Sequence, residues 1–156
     1  MTQKKPEGDP LLIMLVEDNV DHADLVKLSF KKHRVANKII HVTEGEEALD
    51  YLSHRGAFVD SEEHPLPSLI LLDLRLPKID GLEVLGEIKK ADNLRQIPVV
   101  ILTSSEAEKD VAKAYEHHAN SYLVKPLDFN KFSTLMDDLG FYWLAWNCPA
   151  PAQREN

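Results

Sequence analysis

Leu11–Asp18 reads LLIMLVED, six apolar residues in succession followed at once by two acids. A short, unbroken apolar run of this kind is typical of a strand buried on both faces, as in a parallel sheet covered by helices. Three later runs repeat the pattern, and a polar residue lies at the end of each. They are Leu69–Leu72 before Asp73, Val99–Leu102 before Thr103, and Tyr122–Val124 before Lys125.

Helical patterns separate the apolar runs. We predict strands over 11–16, 38–42, 68–73, 97–102 and 120–124, and helices over 21–33, 44–54, 81–91, 106–117 and 128–139. Five strands alternating with five helices predict right-handed crossovers and a parallel sheet with helices on both faces. The common arrangement at this size is a flavodoxin-like, doubly wound α/β fold with strand order 2-1-3-4-5.

The length of 156 residues suits one domain with a single core. Residues 1–10 are polar and contain Pro and Gly, so we expect a flexible N-terminal lead. We place the domain at 11–139 and an aromatic C-terminal extension at 140–156. Gly140 predicts an end or a kink of the last helix.

The composition excludes several classes of protein. A formal net charge of -8 argues against a general nucleic-acid binder, which usually presents a basic face. No apolar stretch approaches the roughly 18 residues that a membrane span needs. The lone Cys148 and the lack of a signal peptide predict a cytoplasmic protein. We therefore expect neither nucleic acid nor membrane as a partner.

The acids at the strand ends predict a metal site. In the predicted strand order the first and third strands are neighbours, which places Glu17, Asp18 and Asp73 side by side. Crowded carboxylates repel one another unless a cation neutralises them, and oxygen ligands without His or Cys select Mg²⁺ or a similar ion. Glu17 and Asp18 taken as a pair fit equally well as caps of the first helix. Asp73, held outward beside the metal, could act as a nucleophile and form an acyl phosphate.

A hydroxyl and an ammonium complete this set of polar strand ends. Phosphoryl transfer spreads negative charge over three oxygens, and Lys125, Thr103 and Mg²⁺ could each stabilise one of them. The alternatives are a helix cap for Thr103 and a solvated strand end for Lys125. We predict a cis Lys125–Pro126 bond, since a strand that ends on a functional lysine needs a sharp, fixed turn.

In their order along the chain, these residues closely resemble the receiver domains of two-component response regulators, from about Leu11 to Leu139. The resemblance implies that Asp73 is the phospho-acceptor. It also implies that Asp18 and Asp73 bind Mg²⁺ directly, that Glu17 binds it through water, and that the Arg75 backbone carbonyl is a further ligand.

The same resemblance implies a partner reaction and a switch. A sensor histidine kinase would donate the phosphoryl group, and the domain would catalyse this transfer and the later hydrolysis, so it is an enzyme only in that restricted sense. Thr103 would move toward the phosphoryl group and Tyr122 would turn inward behind it. The alternative for Tyr122 is an ordinary aromatic residue of a strand.

Two features resemble the stand-alone regulators that partner phytochrome-type kinases: a long connection over 52–67 and an aromatic tail. We predict that the tail contributes to a homodimer, although it could instead fold back over its own core. Its candidate residues are Phe141, Trp143, Leu144 and Trp146. We predict that the kinase docks on the first helix and contacts four of its residues. The alternative is that these residues face the core. They are Val20, Ala23, Val26 and Phe30.

Other functions fit less well. A phosphatase of the haloacid dehalogenase type needs an acid two residues after its nucleophile, where this chain has Arg75. A nucleotide-binding module of flavodoxin type would need a Gly-rich loop after the first strand, and Glu17–Val20 contains no Gly. A receiver that acts as a phosphate sink without output remains open. The histidines show no spacing typical of a metal or phosphohistidine site, so we interpret them as surface residues.

Overall fold

The computed structural model of the protein describes residues 12–33, 38–104, 108–125 and 128–146. The strands are β1 (Leu12–Val16), β2 (Lys38–Val42), β3 (Leu69–Leu72), β4 (Val99–Thr103) and β5 (Ser121–Val124). The helices are α1 (Val20–His33), α2 (Gly45–Leu52), α3 (Gly81–Lys90), α4 (Glu108–Glu116) and α5 (Phe129–Trp146). None of the helices within these described ranges combines the length and the hydrophobicity that a membrane span requires.

The five strands form one sheet in the order β2-β1-β3-β4-β5, and every neighbouring pair is parallel. This confirms the predicted strand order. The register pairs Val16 with Leu72 and Thr103 with Val124. The carboxyl ends of these strands are therefore level, and the residues that follow them meet at one edge of the sheet.

Helices cover both faces of the sheet. Alternate residues of each strand point to opposite sides, and in an unbroken apolar strand both sides must be covered. Ile13 and Leu15 face a core shared with α1 and α5. Met14 and Val16 face a second core shared with α2, α3 and α4. β3 and β4 are buried throughout and β1 is buried from Ile13 onward, which explains why their sequences are continuous apolar runs rather than alternating ones.

The predicted docking residues on α1 require a correction. Ala23, Val26 and Phe30 are completely buried in the core between α1 and the sheet, so the prediction that they contact a partner is wrong. Only Val20 of that set is exposed, at 59%. The helix has apolar residues on more than one side, and packing against the sheet selected the side that contains these three.

The last helix is longer than predicted. Asp128 caps its start, since the Asp128 Oδ1 accepts hydrogen bonds from the amides of Asn130 and Lys131 at 2.8 and 3.1 Å. The helix continues to Trp146, so Gly140 does not end it, and the boundary placed after residue 139 falls inside the helix. The alternative, a kink at Gly140, stays a prediction. The predicted cis bond before Pro126 lies outside the described residues.

Candidate functional site

Backbone hydrogen bonds hold the polar strand ends together. The Glu17 amide donates to the Val42 carbonyl at 3.0 Å, and the Asp73 amide donates to the Val16 carbonyl at 3.0 Å. The Lys125 amide donates to the Thr103 carbonyl at 2.7 Å. A backbone hydrogen bond thus ties each of these three residues to the neighbouring strand.

The three predicted metal-binding carboxylates lie together. Glu17, Asp18 and Asp73 each offer an oxygen, and these oxygens lie within 4.8 Å of one another. Glu17 and Asp73 are buried, whereas Asp18 is exposed. Three carboxylate oxygens with one open side suit a hard divalent cation that keeps several water ligands, so the residues present fit Mg²⁺ or a similar ion.

Lys125 lies against these acids rather than in solvent. Its side chain is 4% exposed, and its Nζ donates to Glu17 Oε1 at 2.6 Å and to Asp73 Oδ2 at 3.1 Å. The interpretation of Lys125 as a solvated lysine is therefore wrong. The contact explains how two neighbouring carboxylates remain stable before a metal binds, because the ammonium offsets part of their repulsion.

Glu17 is also not simply a helix cap. Asn19 caps α1, since its Oδ1 accepts a hydrogen bond from the His22 amide at 3.1 Å. The second oxygen of Glu17, Oε2, accepts from the Asn19 amide at 3.2 Å. Burial raises the pKa of Glu17 to about 7, although the hydrogen bond from Lys125 lowers it. Glu17 thus changes its charge close to neutral pH.

The loop after β3 positions Asp73. Its Oδ1 accepts a hydrogen bond from the Arg75 amide at 3.1 Å, and the Leu74 carbonyl accepts one from the Gly81 amide at 2.9 Å. A Cβ on Gly81 would overlap the Asp73 carbonyl oxygen and would lie 2.6 Å from Leu74 Cα. The start of α3 therefore approaches the Asp73 backbone at a distance that only glycine permits.

Thr103, Tyr122 and the Arg75 side chain are the remaining predicted residues. Thr103 ends β4 and is completely buried. Tyr122 is partly buried beside the core and pairs with Ile101 across β4 and β5. The Arg75 side chain extends to α4, where its Nη2 lies 3.6 Å from Asp110 Oδ2. These positions leave the switch roles of Thr103 and Tyr122 as predictions.

Two histidines that were not predicted as site residues also lie at this edge. The Nδ1 of His22 lies 3.0 Å from Lys125 Nζ, and the Nε2 of His41 lies 2.8 Å from the Glu17 carbonyl oxygen. Both residues are only partly exposed, so they are not the simple surface residues that the sequence predicts. The sequence indicated only that His22 lies near the acidic cluster, since it follows Asp18 by four residues in the first turn of α1.

Comparisons with known proteins agree with this geometry. A model of the response regulator receiver domain matches residues 13–137. FilR2 of Methanothrix harundinacea, whose name describes a probable methanogenesis regulatory protein, is 46% identical over 146 residues, covering 92% of this chain and 91% of FilR2. The structure of Mn²⁺-bound Rcp1, a response regulator of Synechocystis, has a TM-score of 0.82 at 40% identity, covering 86% of this chain and 95% of Rcp1.

The structure of RcpA, a phosphorylated cyanobacterial phytochrome response regulator, is as similar to this chain as that of Rcp1. Its TM-score is 0.82 at 36% identity, and the match covers 87% of this chain and 95% of RcpA. These neighbours share the flavodoxin-like fold predicted for this sequence. The chain belongs to the response regulator receiver domain family.

Proposed function

We propose that this chain accepts a phosphoryl group on Asp73 from the phosphohistidine of a sensor histidine kinase, in a reaction that depends on Mg²⁺. The observation on which the proposal rests is the contact between the buried Asp73 Oδ2 and Lys125 Nζ at 3.1 Å. Asp73 faces a lysine and two further carboxylates at one sheet edge. The site therefore combines a nucleophile, which is Asp73 itself, with a fixed cation and a set of metal ligands.

The transfer needs no external base. An oxygen of the Asp73 carboxylate attacks phosphorus, so a new P–O bond forms while the P–N bond to the kinase histidine breaks. The electron pair of that bond remains on the imidazole nitrogen, which takes up a proton from solvent. Lys125 donates to one equatorial oxygen and Thr103 to another, which stabilises the negative charge that transfer spreads over the phosphoryl group.

The metal site would use the acidic cluster. Asp18 and Asp73 would bind the ion directly, Glu17 through a water molecule, and the Arg75 carbonyl as a further ligand. When bound, Mg²⁺ supplies positive charge and fixes the orientation of the phosphoryl oxygens. The donor set of three carboxylate oxygens supports this assignment, and so does the Mn²⁺ ion of the relative Rcp1.

The relatives suggest two kinds of kinase. RcpA is a phytochrome response regulator, which supports a phytochrome-type kinase as the donor. FilR2 is named for the regulation of methanogenesis, which supports a kinase with a different signal. We favour the phytochrome type. Transfer of label from an autophosphorylated phytochrome kinase, compared with transfer from a kinase without a photosensory domain, separates the two.

The output would follow from phosphorylation. The new dianion would draw Thr103 inward and Tyr122 would follow, changing the face formed by α4, β5 and α5. Partner binding or homodimerisation would then read that change. The alternative is a phosphate sink without output. A Tyr122→Ala variant distinguishes a regulator with an output from such a sink. Loss of the phosphorylation-dependent change in binding or mass supports an output.

A labelling experiment tests the acceptor directly. The protein is incubated with Mg²⁺ and acetyl phosphate, and intact mass is recorded before and after treatment with hydroxylamine, which cleaves acyl phosphates. We expect one hydroxylamine-sensitive phosphoryl group on the protein and none on Asp73→Asn. Asp92→Asn, exposed beyond α3, is the matched control and should label normally. A hydroxylamine-insensitive label on Asp73→Asn would exclude Asp73 as the acceptor.

A further inference from the structure

His22 occupies a fixed place beside the proposed acceptor. It lies in the first turn of α1, where its amide donates to the Asn19 side chain at 3.1 Å. Its ring packs against Phe132 of α5 in an edge-to-face arrangement, with 5.1 Å between ring centroids and 85° between planes. The cap and the ring contact together orient the imidazole toward the end of β5.

The contact with Lys125 determines the protonation of this imidazole. A lysine ammonium only donates hydrogen bonds, so the His22 Nδ1 at 3.0 Å must accept. The ring is therefore neutral, with its proton on Nε2. Burial lowers the pKa of His22, and the nearby Lys125 charge lowers it further, which agrees with a neutral ring.

His22 completes the environment of the ammonium. Lys125 Nζ has three N–H donors, and three acceptors surround it. They are Glu17 Oε1 at 2.6 Å, Asp73 Oδ2 at 3.1 Å and His22 Nδ1 at 3.0 Å. Two of these acceptors are carboxylates that take part in the proposed chemistry. His22 is a neutral acceptor on another element.

We propose that His22 is a positioning residue for Lys125, holding the ammonium between Glu17 and Asp73 where the phosphoryl oxygens arrive. The inference rests on the proposed function for its effect on rate. Without the His22 acceptor, the ammonium keeps two carboxylates as partners and is free to rotate toward Glu17, its shorter contact. The amine then stabilises the transferring group less well, because it must move during the reaction.

Kinetics of labelling by acetyl phosphate test this role. His22→Phe keeps a flat ring against Phe132 and removes the acceptor, and we expect the first-order rate at saturating donor and Mg²⁺ to fall about tenfold, as for one lost charge-assisted hydrogen bond. His22→Asn restores an acceptor, and its rate should lie within about threefold of the parent rate. His117→Phe, an exposed site at the end of α4, is the control and should not change the rate.

A double-mutant cycle separates positioning from a merely structural role. In a Lys125→Met background, His22→Phe should cause no further loss, because there is no ammonium left to position. The same tenfold loss in both backgrounds would overturn the proposal. An unchanged rate for His22→Phe alone would overturn it as well.

Nitrogen NMR of the imidazole tests the contact without any phosphoryl chemistry, so it remains decisive if the protein does not label. In the metal-free protein at pH 8, we expect His22 to show an unprotonated Nδ1 and a protonated Nε2. Lys125→Met should shift the Nδ1 resonance. A proton on Nδ1, or an Nδ1 resonance that does not shift in Lys125→Met, would overturn the inference. Either result would leave the acceptor role of Asp73 intact.

Discussion

Glu17 and Lys125 are buried residues of opposite sign, and the 2.6 Å contact between them lies at the centre of the candidate site. Burial works against the charge of Glu17 and raises its pKa to about 7 from an ordinary value of 4.5. In the metal-free protein the folded state holds this proton more tightly than the unfolded chain does. The contribution of Glu17 to the free energy of unfolding is therefore full below pH 4.5 and is lost as the pH rises through about 7.

This pKa predicts how metal binding depends on pH. A cation binds the ionised form of Glu17, so protons compete with Mg²⁺ below about pH 7. We expect the Mg²⁺ affinity measured by titration calorimetry to rise between pH 6 and pH 8, by at most about tenfold per pH unit, and to level off above. Glu17→Gln should flatten this rise, whereas Glu46→Gln on the exposed side of α2 should retain it. An identical pH profile for Glu17→Gln would contradict the assignment.

Lys125 predicts a large effect on stability. Lys125→Met leaves two buried carboxylates facing one another, and removing one partner of a buried ion pair costs about 3–5 kcal/mol. We expect the lower end of that range at pH 7, because Glu17 can take up a proton. Urea denaturation measures the loss. Lys78→Met removes an exposed contact to Glu44 at 3.2 Å and should cost no more than about 1 kcal/mol. Equal losses in the two variants would count against a buried pair.

At the scale of elements, the start of α3 determines where the Asp73 loop lies. Asp80 caps this helix, since its Oδ1 accepts from the Glu83 amide at 3.1 Å. Gly81 then brings the first turn against the backbone of Asp73 and Leu74. Pro77 and Gly81 mark a tight loop in the sequence itself. The closeness of the approach is not marked there, because it depends on where α3 packs against the sheet.

Two glycines of α3 provide a matched test. Gly81→Ala forces its Cβ into the Asp73 carbonyl oxygen, and we expect a loss of about 1–3 kcal/mol in the free energy of unfolding, together with slower labelling. Gly86→Ala meets only the His117 ring, at 3.8 Å, and should stabilise the helix by up to about 1 kcal/mol. Chemical denaturation of both variants measures the difference. A stabilised Gly81→Ala variant would disprove the close approach.

The exposed side of α1 gives a prediction for kinase docking. Val20 and Leu28 are 59% and 62% exposed, whereas Ala23 is buried. Val20→Asp should change stability by no more than about 0.5 kcal/mol and should slow transfer from the kinase, with labelling by acetyl phosphate unchanged. Ala23→Asp should instead destabilise the fold, because it buries an unpaired charge. Transfer from the kinase that is unaffected by Val20→Asp would place docking elsewhere.

At the scale of the whole molecule, two cores on either side of one sheet form the domain, and α5 continues to Trp146. The helix continues for seven residues past Leu139, a rise of about 10 Å at 1.5 Å per residue. The role of Phe141, Trp143 and Trp146 in a dimer stays a prediction.

Truncation tests the dimer. Removing residues 140–156 should reduce the mass measured by sedimentation equilibrium from that of a dimer to that of a monomer, since the aromatic end of α5 is lost. Removing residues 147–156 alone leaves all of α5 in place and should preserve the dimer. A mass that is the same for the full chain and for the longer truncation would remove α5 from the interface.

The sequence by itself determined the order of the strands, the layers of the fold and the placing of Glu17, Asp73 and Lys125 at one edge. These features follow from local patterns, namely short apolar runs, helical spacing and the polar residue after each strand. Tertiary structure alone decided that Ala23 faces the core and that His22 meets Lys125. His22 and Lys125 are 103 positions apart in the sequence. Their contact arises from the packing of α1 against the sheet and α5, which is a property of the assembled molecule and of neither segment alone.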